Sequence, residues 1–117
     1  MKTHYAKVNK TDKIYKLYLS NELIMGSEKA VELVEHYNGK DFPAVIYFPA
    51  SDVDKLNLIK SEKTSICPIK GKASYWNYKE VEDCVWSYHI ENPELASIDK
   101  HFAFDQGKGF RVVQETS

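Results

Sequence analysis

Short runs in which apolar and polar positions alternate recur along this chain, and they predict strands. Lys13 to Leu19 (Lys-Ile-Tyr-Lys-Leu-Tyr-Leu) is rich in β-formers, and Asn21 marks a turn before Glu22-Leu23-Ile24-Met25, which predicts an opening hairpin. In the next segment Ala30, Leu33, Val34 and Tyr37 fit a helical stripe. Its short length and β-branched content suit a strand, and a strand over Ala30 to Glu35 is the expectation. Asn38-Gly39 is a strong turn signal, after which Ala44-Val45-Ile46-Tyr47-Phe48 reads as a buried strand closed by Pro49. One helical turn is expected over Ser51 to Asp54, with Ser51 or Asp52 as its cap.

Leu56-Asn57-Leu58 alternates, and so does Ala73 to Tyr78. In the second run Ala73, Tyr75 and Asn77 face one side of a sheet, and Ser74, Trp76 and Tyr78 face the other. Cys84-Val85-Trp86-Ser87-Tyr88 is its natural hairpin partner across the acidic segment Glu80 to Asp83, with Cys84, Trp86 and Tyr88 on one face. Asn92-Pro93 reads as an N-cap and first helical residue, giving a short turn through Ile98. Phe102-Ala103-Phe104 and Phe110-Arg111-Val112-Val113 are expected to close the chain as a last hairpin around Gly107-Lys108-Gly109. The series predicts an all-β domain of short antiparallel strands, a sandwich or partly open barrel with one or two short helical turns.

At 117 residues, 43% hydrophobic and 28% charged, the chain fits one domain, 1–117, with its own core. The longest apolar stretch, Pro43 to Ala50, is far short of the roughly 20 residues a membrane helix needs, so no membrane partner is expected. Met1 to Lys7 has no apolar signal-peptide core, which makes the cytoplasm the expected compartment. Net charge is -1, but its distribution is uneven: residues 1–16 carry five lysines against Asp12, and residues 80–105 hold seven acids against Lys100. Arg111 is the one arginine, so the bidentate contacts of nucleic-acid readers are scarce and no nucleic-acid partner is expected.

Candidate chemistry centres on Cys67-Pro68-Ile69-Lys70-Gly71. Pro68 holds Cys67 extended and Gly71 permits a sharp change of direction, so Cys67 and Lys70 sit on a stiff loop. A lysine near a thiol favours the thiolate, as nucleophilic or redox chemistry requires; a small packed Cys beside a surface Lys is the competing reading. An aromatic set, including Tyr47, Tyr75, Trp86 and Tyr88, supplies apolar walls with hydroxyl and indole donors. That serves a core or a pocket for a small polar ligand equally well. His101 suits acid–base work near neutral pH, although a half-exposed strand histidine is the plainer reading. Asp52 and Asp54 could hold a metal, but a cap and a solvated acid describe them better. Cys67 and Cys84 form no C-x-x-C pair, the histidines add no paired ligands, and a reduced compartment argues against a disulfide. No metal or cofactor is expected.

The order and spacing of several segments resemble a known family. They are Val45 to Pro49 with Asp52-Val53, Thr64 with Cys67 to Trp76, Val85 to Tyr88, Pro93, Ile98, and His101 to Phe104. The T-x-x-C-P-x-K-G-x-A-x-Y core followed by W-x-Y resembles the domain of unknown function 427, once labelled a nucleotidyltransferase domain, over about residues 13–113, leaving 1–12 as an N-terminal extension. The resemblance implies a single all-β domain of the beta-tent type. It brings no settled activity. The old label lacks its physical basis, since neither paired metal-binding carboxylates nor a phosphate-holding loop is visible. The chain departs from the family pattern at Glu91, where a proline is usual, and at Lys100, where a glycine is usual.

Two functions follow as expectations. In the first, the domain binds a small polar or anionic molecule, with Tyr47, Thr64, Cys67, Lys70, Tyr75, Trp86, Tyr88 and His101 as candidate ligand-binding residues. In the second, the same residues serve the fold, and the domain is a non-enzymatic interaction or homodimerisation module.

Overall fold

The computed structural model describes residues 4–115 as two antiparallel sheets. The larger contains β1 (His4–Lys10), β4 (Val31–Tyr37), β5 (Lys40–Asp41), β6 (Val45–Pro49), β7 (Ile59–Cys67), β8 (Gly71–Tyr78), β9 (Val81–His89) and β10 (His101–Phe104). Its order is β1-β4-β6-β10-β9-β8-β7, with the short β5 paired to β4. The smaller joins β2 (Ile14–Leu19), β3 (Glu22–Ser27) and β11 (Phe110–Glu115) in the order β11-β2-β3. This is the all-β, antiparallel class that the alternation predicts. Residues 4–10, part of the 1–12 segment that the family resemblance leaves as an extension, form a full edge strand in register with β4.

Turn chemistry accounts for the hairpins. Asn38 and Gly39 both have positive φ (53° and 79°), the combination that a two-residue turn with right-twisted strands requires. At the β7–β8 turn Gly71 has φ +97°, and a Cβ there would lie 2.7 Å from the His89 carbonyl oxygen, so no side chain fits.

Two apolar clusters lie on opposite faces of the larger sheet. The first is sandwiched under the smaller sheet and joins Leu17, Met25, Phe48, Val85, Phe104 and Phe110. The second joins Val31, Leu33, Tyr47 and Ala103 with Leu95 and Ile98 of the helical turn Pro93–Ile98. Neighbours on β6 and β10 therefore divide: Tyr47 and Ala103 enter the second cluster, Phe48 and Phe104 the first. A strand buried on both faces reads as a continuous apolar run, which is the pattern of Val45 to Phe48.

Several local expectations are corrected. Phe102–Phe104 and Phe110–Val113 do not form a hairpin: β10 inserts between β6 and β9, whereas β11 pairs with β2 across six residues. The segment Leu56 to Leu58 is not a strand, because Asp54–Leu56 continues the short helix Ala50–Val53 as a 3-10 turn and Asn57 closes it in a left-handed conformation. That helix has Pro49 as its N-cap, without a side-chain cap; Asp52 instead accepts a hydrogen bond from Ser27. The helical turn after Asn92 forms as expected, with the Asn92 side chain accepting from the Glu94 amide at 3.0 Å.

Two bulges matter for the site. Between Val81 and Val85, β9 takes four steps while β8 takes two, and Asp83 in that stretch has φ 52°. Alternation breaks there, so Cys84 packs in the first cluster while Trp86 and Tyr88 border the second. A matching irregularity lies in β7 between Lys60 and Thr64.

Candidate functional site

On the face of the second cluster, the β7–β8–β9 sheet and β6 surround a cavity of about 260 Å³. Strand alternation supplies its walls. Trp86 and Tyr88 lie two apart on β9, Tyr75 stands opposite Trp86 across the β8–β9 ladder, and Tyr47 projects from β6. Lys70 enters from the β7–β8 turn. Five residues singled out in the sequence thus come together: Tyr47, Lys70, Tyr75, Trp86 and Tyr88.

The remaining three lie elsewhere. Thr64 is exposed and sits opposite Ser74, on the other face of the sheet. Cys67 is half-buried at the last position of β7, opposite Gly71, and does not line the cavity. His101 opens β10, donates from Nδ1 to the Asp99 carbonyl at 3.0 Å, and lines a separate depression with Lys10 and Lys29. Both cysteines are free thiols.

Lys70 is the unusual group, since the residue is only 9% exposed, whereas long cationic side chains normally reach water. Its Nζ donates to Glu35 Oε1 on β4 at 2.8 Å and lies 4.9 Å from the centre of the Tyr88 ring. Burial alone would favour the neutral amine. The Glu35 hydrogen bond, together with Tyr47 and Tyr88, outweighs it and raises the Lys70 pKa above the ordinary lysine value, so the ammonium persists. Glu35 experiences the mirror case: burial favours its acid form, but bonds from Lys70 and from His4 Nε2, at 2.7 Å, hold its pKa below normal.

The phenols complete the donor set. Trp86 Nε1 donates to the Tyr47 hydroxyl at 3.1 Å, and among the described residues nothing accepts the Tyr47 O–H proton. Burial pushes the Tyr47 pKa up to about 12, so it remains a neutral donor throughout the physiological range. Burial also raises Tyr88, whose hydroxyl has no hydrogen-bond partner among the described residues. Tyr75 is different: its hydroxyl meets Ser65 Oγ at 2.9 Å, and Lys63 Nζ lies 4.6 Å from the centre of its ring.

Glu35, Lys63, Asp83 and Asp105 are not among the candidates that the sequence offers, yet the last three line the cavity and Glu35 pairs with Lys70. Glu35 had a visible signal, since it shares a strand face with the buried Val31 and Leu33, where an acid is unexpected. Lys63 and Asp83 had none, because both occupy the bulges, where alternation no longer assigns faces. Ser61 of the first bulge donates to Asp83 of the second, tying the two together.

Chemically, the cavity offers ammonium and phenol donors between aromatic walls, with the Asp83 and Asp105 carboxylates also in its lining. Among the described residues no three His, Cys, Asp or Glu side chains are grouped to hold a metal ion, and no helix is long and apolar enough to cross a membrane. No curated protein matches the chain. A family profile described as a domain of unknown function, DUF427, matches residues 7–115. With nearly its whole length inside that match, the chain belongs to the DUF427 family.

Proposed function

We propose that this domain binds a small anionic or polar molecule in the cavity between Tyr47, Lys70, Trp86 and Tyr88. The observation that carries the reading is the nearly buried Lys70 ammonium, held beside two phenols whose hydroxyl protons are unused. Desolvating an ammonium opposes folding, and a hydrophobic pair in its place is often as stable or more so. A carboxylate or phosphoryl group entering the cavity would accept from Lys70, Tyr47 and Tyr88 in a low-dielectric setting, where such bonds are strongest. The volume, slightly under the roughly 300 Å³ at which drug-sized pockets begin, sets the ligand as a small metabolite.

The fold is read as the beta-tent type, and the two free thiols support a reducing, cytoplasmic setting. A thermal-shift screen of a metabolite library tests the reading. Small anions should raise the melting temperature in a concentration-dependent way, and Tyr47→Phe should weaken each such effect. Stabilisation by neutral or cationic compounds alone, or by none, would overturn it.

A second reading rests on β7, which ends the larger sheet and leaves Ile59 66% and Ile66 81% exposed. An unpaired edge strand with two exposed isoleucines invites β-addition by a second copy, and sedimentation at micromolar concentration would show a homodimer if it forms.

A further inference from the structure

A second cavity, of about 370 Å³, lies on the opposite face of the β8–β9 hairpin; Tyr88 borders both cavities, whereas Tyr47, Lys70 and Trp86 line only the first. Alternation along β8 turns Ser74 and Trp76 to this side, and the register sets Ser74 opposite Ser87 on β9 and opposite Thr64 on β7. Thr64, a motif residue that the first cavity leaves out, therefore belongs to this face.

The wall is aromatic. The Trp76 ring meets Phe102 at 5.0 Å in an edge-on arrangement, and both are partly buried against the first apolar cluster. One side of the pair thus rests on the core while the other borders the cavity. Two small serines beside it leave the floor low and open. Ser87 donates to the His101 carbonyl at 2.7 Å, and Ser74 has no hydrogen-bond partner among the described residues.

Charge at the rim selects the occupant. Lys100 is fixed in a left-handed conformation with φ 61°, its carbonyl accepting from the Ala50 amide at 3.2 Å. Among the described residues its ammonium has no ion-pair partner. His89 adds an imidazole. The one carboxylate lining the cavity, Asp99, already accepts from the Ile90 amide at 3.3 Å.

We propose that this face is a second binding site, for a planar aromatic ring that carries an anionic group. The ring lies against Trp76, whose face and edge favour stacked or edge-on partners, and the anion meets Lys100, with Ser74 and His89 as further hydrogen-bonding groups. The volume falls within the roughly 300–1,000 Å³ of small-molecule sites.

The protein has two tryptophans, one at each cavity, which gives each site its own reporter. In ¹⁵N-labelled protein the two indole N–H resonances, assigned with Trp76→Phe, are followed while 2-naphthoate is added. The Trp76 resonance should move saturably and the Trp86 resonance should stay. Lys100→Gln should weaken binding roughly fivefold, the scale of an exposed charge contact. Neutral 2-naphthalenemethanol should bind several-fold more weakly than 2-naphthoate. Ser74→Leu fills the floor and should abolish the Trp76 shift, with an unmoved Trp86 resonance confirming the fold. An unmoved Trp76 resonance, equal movement of both indoles, or equal binding of the neutral analogue would overturn the proposal.

Discussion

Replacing Glu35 with leucine tests whether Lys70 is held as an ammonium in a place that water hardly reaches. The ammonium and carboxylate are 2.8 Å apart with side-chain exposures of 11% and 25%. At an effective dielectric constant of about 20, that separation gives roughly 6 kcal/mol of gross attraction, most of it offset by the desolvation of both groups. Removing one partner forfeits the attraction but leaves the other group's desolvation in place. Breaking fully buried pairs costs about 3–5 kcal/mol, and the partial exposure of Glu35 brings the expectation for Glu35→Leu down to about 2–3 kcal/mol. Lys70→Met should cost about as much. The double variant Glu35→Leu/Lys70→Met, with neither charge left, should fall within about 1 kcal/mol of the parent. Equilibrium urea unfolding with unchanged slopes measures all four proteins. Single variants each within about 0.5 kcal/mol of the parent, with additive effects, would show that the pair behaves as a surface salt bridge and that Lys70 is not a buried ammonium.

Four further outcomes follow from the structure. Tyr47 and Lys70 both have folded-state pKa values above their ordinary ones, so their contribution is complete below pH 10 and is lost as pH rises beyond it. For Tyr47, moving from 10.0 to about 12, the loss is on the order of 2 kcal/mol, and chemical unfolding across that range should show a shallower decline in Tyr47→Phe. Glu35 acts at the other end: its pKa lies below 4.5, so its contribution is present above that value and disappears as pH falls through the folded pKa, a limb that Glu35→Leu should flatten. Gly71→Ala forces a Cβ to 2.7 Å from the His89 carbonyl at φ +97° and should lower stability by about 2–4 kcal/mol in thermal unfolding, whereas Gly39→Ala, with open space around its Cβ, should cost less. In the folded protein iodoacetamide should label the half-buried Cys67 at least about tenfold faster than Cys84, which is fully buried and has a raised pKa; equal rates by mass spectrometry would contradict the burial.

Periodicity made the strands legible wherever a strand has one wet face or follows a turn residue. The opening hairpin, the Asn38-Gly39 turn and the Asn92-Pro93 cap all depend on neighbours in sequence. The aromatic walls of the cavity were also visible, because Trp86, Tyr88 and Tyr75 obey alternation. What stayed hidden depends on long-range pairing. Phe102–Phe104 and Phe110–Val113 are separated by a Gly-containing segment that suggests a hairpin, yet the two strands enter different sheets, a choice made by partners far away in the chain. The counterion of Lys70 is 35 residues upstream, and no local motif joins the two. Lys63 and Asp83 reach the cavity through bulges that remove the period-2 rule at those residues.

The central claim, that the Lys70 cavity binds a small anion, is tested most directly by comparing Lys70→Gln with Lys72→Gln. Lys72 is two residues away on β8, exposed, and outside the cavity, so it carries the same charge without the setting. Isothermal titration with the strongest anionic ligand from the thermal-shift screen, alongside melting of both variants, gives the answer. Lys70→Gln should abolish binding and shift stability by more than about 1 kcal/mol, while Lys72→Gln should stay within about 0.5 kcal/mol and bind as the parent does. Equal behaviour of the two variants in both measurements would contradict it.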